Sequence, residues 1–181
     1  MRQPDPVKKE KILNAAIELF VENGYHDTTT LAVSQRVSMS SSRMYTYFED
    51  KEHLLVEVVR RMKDEHTALS TELAKKSAGL EDGRFIKLFY ETQAAICRRV
   101  RFIMGCILTP SLAALFTGID FDFSEVFLPY LNGWPDELAA DTALALASIA
   151  AGYFFTGNAD GAKASSLSVL RNARLALGNL Q

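Results

Sequence analysis

At 181 residues, with 48% hydrophobic and 23% charged side chains, the chain has an ordinary globular composition and length enough to bury a sizeable core. A formal net charge of −2 excludes a nucleic-acid binder held by bulk charge alone. Residues 1–51 carry seven basic groups (Arg2, Lys8, Lys9, Lys11, Arg36, Arg43, Lys51) against seven acidic ones (Asp5, Glu10, Glu18, Glu22, Asp27, Glu49, Asp50), so any DNA surface must come from local arrangement.

Helical spacing dominates from the start. Ile12, Leu13, Ala16, Ile17 and Phe20 form one apolar stripe. Asn23-Gly24 ends that helix, because glycine accepts a left-handed conformation beyond the last turn. Thr29 caps a second helix whose inward face is Val33 and Val37. Ser40 caps a third, very short helix ending near Phe48. Asp50 caps a long fourth helix from Lys51 to about Lys76, with Leu54, Leu55, Val58 and Met62 inward. Residues 77–83 break the pattern, and a fifth helix follows from about Arg84 to Ile103. Thr109-Pro110 reads as a cap with proline in the first turn of another helix. Residues 117–123 break again, and a short helix starts at Ser124. Two last helices cover about 136–156 and 161–178. Strand alternation is absent, so the fold class is all-α with about nine helices. An N-terminal domain of residues 1–50 precedes a C-terminal helical domain of residues 51–181.

Two short helices joined by a tight turn and packed on a first helix make a helix-turn-helix. In that motif the second short helix enters the DNA major groove by its N-terminal end. The small hydroxyl residues of "SMSSSRMYTYF" suit that task, since they let the backbone approach phosphate and can bond phosphates or base edges. Arg43 is the one long donor able to read guanine bidentately. Tyr45 and Tyr47 offer hydroxyls to phosphates or rings to thymine methyls. Met44 and Phe48 are the inward pair, and Lys51 adds a phosphate contact.

The stretches "ILNAAIELFVENGYHDTTT" and "VSMSSSRMYTYFEDKEHLL" resemble the N-terminal domain of the TetR family of bacterial repressors. The resemblance covers about residues 8–56. It implies a homodimer on double-stranded operator DNA, a ligand-binding C-terminal domain, and DNA release when a small effector binds. It also places Thr30, Ser40, Ser41, Ser42, Tyr45, Tyr47 and Lys51 on family DNA-contact positions. Ser38 departs from the family's turn glycine, Ser42 from its common glycine or alanine, and Leu31 from its common polar side chain. The alternative is a helical protein–protein module that keeps the helix-turn-helix shape without operator binding.

The C-terminal half is dense in aromatics, among them Phe85, Phe89, Tyr90, Phe121, Phe127 and Trp134, and carries few charges from 102 to 134. That composition suits a cavity for a small apolar or aromatic effector. Phe89, Gln93, Cys97 and Phe127 are the candidate effector contacts; the competing readings are that most of the aromatics simply pack helices and that Gln93 faces solvent. Cys97 precedes "RRVR", a basic setting that favours thiolate, and "GCIL" around Cys106 resembles a segment of some thiol-responsive relatives; for both cysteines the competing reading is a small apolar packing residue. Two cysteines make no disulfide framework, and with no signal peptide a cytoplasmic location is expected.

"ALALASIAAGYFF", residues 143–155, contains Ser148 and is too short to span a bilayer, so no membrane partner is expected. It is apolar on nearly every face and so needs cover all round. A four-helix bundle across a two-fold axis supplies it, with Ala143, Ala147, Ala150, Ala151, Phe154, Leu167 and Leu170 as the dimer interface; the alternative is that this helix is central in a monomeric bundle. No G-x-S-x-G or P-loop pattern appears, and His26, His53 and His66 have no cysteine partner at ligand spacing. No catalytic residue, metal site or cofactor is therefore expected.

Overall fold

The computed structural model describes residues 5–77, 79–119 and 123–179. Arg2, and Phe121 within the break at 117–123, lie outside them. Nine α-helices are present among the described residues, with no strand: α1 (Pro6–Asp27), α2 (Thr30–Arg36), α3 (Ser41–Met44), α4 (Lys51–Ser77), α5 (Asp82–Ala94), α6 (Cys97–Leu108), α7 (Pro110–Ala113), α8 (Asp136–Thr156) and α9 (Ala159–Asn179). Three 3-10 segments, Ala114–Phe116, Ser124–Val126 and Leu128–Leu131, fill the stretch between α7 and α8.

The helices divide into two compact units, one of Met1–Lys63 with Phe102–Ile119 and the other of Asp64–Arg101 with Asp120–Gln181. In the first unit Asp5 caps α1 by accepting the Val7 N–H at 3.0 Å, with Pro6 preset for the first turn. The expected stripe Ile12, Leu13, Ala16, Ile17 and Phe20 is buried. It shares a core with Val33, Met44, Phe48, Leu54, Leu55, Val58 and Met62, each large side chain contributing about 1.5–3 kcal/mol by leaving water. Phe20 stacks on Phe102 with ring centroids 5.9 Å apart. The regular run of α1 breaks where the sequence placed its end, at Gly24, whose φ of 83° and ψ of 168° only glycine adopts freely.

The second unit is built on α5, α8 and α9. The inner face of α5 buries Phe85, Ile86, Phe89, Tyr90 and Gln93. Its first turn is clasped from two sides. The Tyr130 hydroxyl donates to Asp82 at 2.6 Å, and Arg174 of α9 donates to the same carboxylate through Nε at 2.8 Å and Nη2 at 2.6 Å. Phe85 and Tyr130 stack at 3.7 Å, and Tyr90 shares a 3.1 Å hydrogen bond with Ser166. Helix α8 stops at Gly157, which takes φ 72° and returns its N–H to the Tyr153 carbonyl at 2.8 Å.

Four expectations change. The single fifth helix, Arg84 to Ile103, is two helices, α5 and α6, separated by Ala95 and Ile96. The backbone there stays right-handed and only tightens to three-residue bonds, Ile96 N–H to Gln93 O at 3.1 Å and Arg99 N–H to Ile96 O at 2.9 Å. No glycine or proline announces it. Val37 is half-buried, and Ser34 takes the inward place beside Val33. The segment from Ser124 forms 3-10 turns rather than an α-helix. The apolar run 143–155 belongs to a 21-residue helix, Asp136–Thr156, which is long and apolar enough to cross a membrane. Within this unit, however, Ala139, Ala143, Leu146, Ala150, Tyr153 and Phe154 of that helix are already buried against the same chain.

Candidate nucleic-acid interface

The turn before α2 is held from inside. The buried Thr28 hydroxyl donates to the carbonyls of Leu19 at 3.1 Å and Gly24 at 2.8 Å. Thr29 then caps α2, its hydroxyl accepting the Ala32 N–H at 3.1 Å. The tight turn after α2 closes with Ser38 N–H to Gln35 O at 3.0 Å and Met39 N–H to Ser34 O at 2.8 Å. Ser38 has φ 54°, the left-handed region where glycine is at ease, so the departure from turn glycine keeps the geometry at the expense of some backbone strain. The Ser34 and Ser41 hydroxyls, 3.3 Å apart, tie α2 to α3.

Regular α-helix in α3 is confined to Ser41–Met44, although single hydrogen bonds carry the coil to Phe48, whose N–H reaches the Met44 carbonyl at 3.2 Å. One turn sums few peptide dipoles. Contact chemistry here therefore falls to side chains more than to a helix end. Ser40 occupies the cap position without a side-chain capping bond; its hydroxyl lies 3.3 Å from that of Ser42 instead. Met44 and Phe48 are buried as expected, which turns Ser42, Arg43 and Tyr45 to the outside. Thr30 and Tyr45 meet hydroxyl to hydroxyl at 3.3 Å, so the starts of α2 and the far end of α3 share one surface. Arg43 is exposed with no ion pair among the described residues, and Tyr47 is half-buried.

Lys51 is less free than the sequence suggested. Its ammonium lies 4.2 Å from the centre of the Tyr25 ring and donates to the His26 carbonyl at 3.3 Å. Burial lowers its pKa, with Asp27 pulling the other way. Two basic groups that motif reasoning passed over sit better. Lys8 and Lys11, one helical step apart on α1, line a hollow of about 390 Å³ with Ser38, Met39, Ser40 and Arg43. The signal was in the sequence as a spacing of three on a helix that packs under the turn. Neighbouring Lys9 is diverted to Glu57 at 2.8 Å. Lys8 itself has the Asp5 carboxylate 3.7 Å away, so the excess of positive charge around the hollow rests on Lys11 and Arg43.

In the second unit Phe89 and Phe127 are buried with ring centroids 4.6 Å apart, and Gln93 is buried near them on the same face of α5. Cys97 is half-buried at the start of α6, its sulfur 3.9 Å from the Arg101 guanidinium. Cys106 belongs to the first unit, where it is buried, and desolvation pushes its thiol up to about 11, which suits a packing residue. Of the interface candidates, Ala143, Ala150, Phe154 and Leu170 are covered by their own chain. Ala147, Ala151 and Leu167 are half-buried. The surface that α8 has left over runs through Leu144, Ser148, Gly152 and Phe155, with Leu144 62% and Phe155 47% exposed. On α9, Leu175 is 64% exposed.

Residues 12–58 match the family model of the bacterial regulatory proteins of the tetR family. Over 51 residues the chain is 41% identical to the HTH-type transcriptional regulator QacR of Staphylococcus aureus, covering 28% of this chain and 27% of that one. It is 28% identical over 78 residues to the fatty acid metabolism regulator protein of Bacillus subtilis, 43% of this chain and 40% of that one. The matched stretch thus spans well under half of these curated relatives. The likeness in fold extends over nearly the whole chain: a transcriptional regulator from Cytophaga hutchinsonii superposes with a TM-score of 0.66 at 17% identity, covering 95% of this chain and 97% of that one.

Proposed function

We propose, from the match of residues 12–58 to the tetR family of bacterial regulatory proteins, that this chain is a DNA-binding transcriptional regulator of that family, acting in the cytoplasm as an effector-released repressor. The observation that carries the reading is the single outward surface of Thr30, Ser40, Ser42, Arg43 and Tyr45 beside the basic hollow of Lys8 and Lys11. Hydroxyls and lysines take phosphates and fix register; Arg43, unpaired, reads a base edge. Lys51 serves a phosphate from its seat on Tyr25, and Ser41 and Tyr47 brace the recognition segment.

Two copies meet through α8 and α9, each offering the strip of Leu144, Ser148 and Phe155 that its own chain leaves exposed, with the half-buried Ala147 and Ala151 between them. A two-fold pairing makes that patch self-complementary and sets the two α3 segments on half-sites of one operator. The effector is a small, largely apolar or aromatic compound received in the second unit near Phe89, Gln93, Cys97 and Phe127. Its effect equals its preference for the released state over the DNA-bound one. Gel-shift titration of an operator fragment with an aromatic compound library tests the release. Dissociation by apolar aromatic compounds is expected, and release only by highly charged ones contradicts the reading.

A further inference from the structure

Gln93 is 1% exposed, and among the described residues neither its Nε2 nor its Oε1 has a hydrogen-bond partner. A carboxamide offers two N–H donors and a carbonyl oxygen with two lone pairs. Removed from water and left unmatched, it loses its hydration with nothing gained. Other buried polar groups of the same unit are matched. Ser70 donates to the His66 carbonyl at 2.8 Å, Thr142 to the Leu138 carbonyl at 2.7 Å, and Tyr90 meets Ser166. Native interiors leave few such orphans, and one among satisfied neighbours calls for a partner from outside the chain.

His66 of α4 gives the route. Its ring lines a hollow of about 150 Å³ with Ser70, Val126 and Pro129, and the Phe123 ring stands edge-on to it at 5.3 Å. The same ring is the group of this chain nearest to satisfying the Gln93 carboxamide: the two interact, but no bond of ordinary hydrogen-bond geometry joins them. Burial lowers the His66 pKa and favours the neutral imidazole, while Gln93 opposes that shift. Glu125, the one charged residue lining the hollow among the described residues, is exposed. One turn back along α5, Phe89 supplies an aromatic wall against Phe127.

We propose that Gln93 is the specificity group of the effector site, reached past His66, and that the effector is a flat apolar compound bearing an adjacent neutral donor and acceptor, of the lactam, carboxamide or imide class. This rests on reading the second unit as an effector domain. An amide edge pairs with a carboxamide through two antiparallel N–H···O bonds. A hydrocarbon makes neither, and a carboxylate sets a charge against Oε1 in a dry site.

The test uses the full chain with 2-quinolinone, benzamide and phthalimide, each beside its fully N-methylated counterpart that lacks any N–H donor (N-methyl-2-quinolinone, N,N-dimethylbenzamide and N-methylphthalimide), and reads affinity by calorimetry. At least one parent compound should bind about tenfold or more tightly than its N-methylated form, as the loss of a buried hydrogen bond requires. Gln93→Met should erase that difference and, without ligand, melt at the wild-type temperature or above it, because it removes an unmatched amide and keeps the volume. Equal binding of parent and N-methylated compounds overturns the proposal and leaves the effector reading standing. A Gln93→Met protein that melts clearly lower overturns it too, since the amide would then serve the fold. Failure of every probe to bind the wild type overturns the proposal, whereas the effector reading stands or falls separately on operator release by the aromatic library.

Discussion

Arg43 and Lys11 stand close together around one hollow yet do different work, because one is a planar fork and the other a point charge. Arg43→Ala is expected to relax base choice at one operator position, by about 1–3 kcal/mol. Lys11→Ala is expected to weaken every site alike and to change the log–log salt slope by about 0.9, one phosphate contact. Binding titrations over a panel of operators at several salt concentrations separate the two; identical behaviour would refute the division. The cysteines divide as well. Cys106, with its thiol near 11, should resist a maleimide at pH 7.5 in the folded protein, whereas half-buried Cys97 beside Arg101 should react. Peptide mapping after a short exposure reads the ratio. At this scale the sequence was most legible where side-chain type alone sets the role, as in Met44 and Phe48 turned inward or Thr29 as a cap. It was least legible where a neighbour in space decides. Lys51 reads as a free cation until Tyr25 takes it, and Lys8 and Lys11 gain their meaning only when the turn folds over them.

Helix boundaries follow from residues that change the backbone, and are hidden where nothing changes it. Gly24 was visible, since φ 83° with ψ 168° is essentially a glycine conformation. A methyl added there meets no atom within 4 Å, so Gly24→Ala tests the backbone alone. It should destabilise the protein by about 1–3 kcal/mol, read as a shift in urea midpoint at constant slope. The break between α5 and α6 was not visible, because Ala95 and Ile96 keep right-handed angles and ordinary helix propensities. The clasp of α5 to α9 gives a pH signature. Hydrogen bonds from Arg174, and after them from Tyr130, hold the Asp82 carboxyl below its ordinary value against the opposing effect of burial. A carboxyl depressed in the folded state stabilises it above the unfolded pKa and loses that contribution as pH falls through the folded one. Wild-type melting temperature should therefore fall more steeply below about pH 4 than that of Asp82→Asn. Parallel pH profiles would show that the clasp contributes nothing.

The all-α architecture was legible as a whole because periodicity reports which face of each helix is covered, but it does not report by which chain. Helix α8 shows the limit. Its uniformly apolar pattern announced cover on every side, and the candidate interface drawn from it included Ala143, Ala150 and Phe154, which fill their own protomer. The bare strip beside them carries the dimer proposal. Leu144→Glu with Phe155→Glu, both on exposed positions, should give a monomer in sedimentation with helical content kept; a double variant that remains dimeric would place the interface elsewhere. The same limit applies to DNA, since a net charge of −2 says nothing of a basic hollow at one turn. Sequencing the genomic fragments that the purified protein retains, in parallel with Arg43→Ala, reaches the central claim most directly. The expected result is a two-fold motif with half-sites about one helical turn apart, sharp for the wild type and blurred at one symmetric pair of positions in the variant. Retained fragments with no shared sequence, or a motif unchanged by the loss of Arg43, would contradict it.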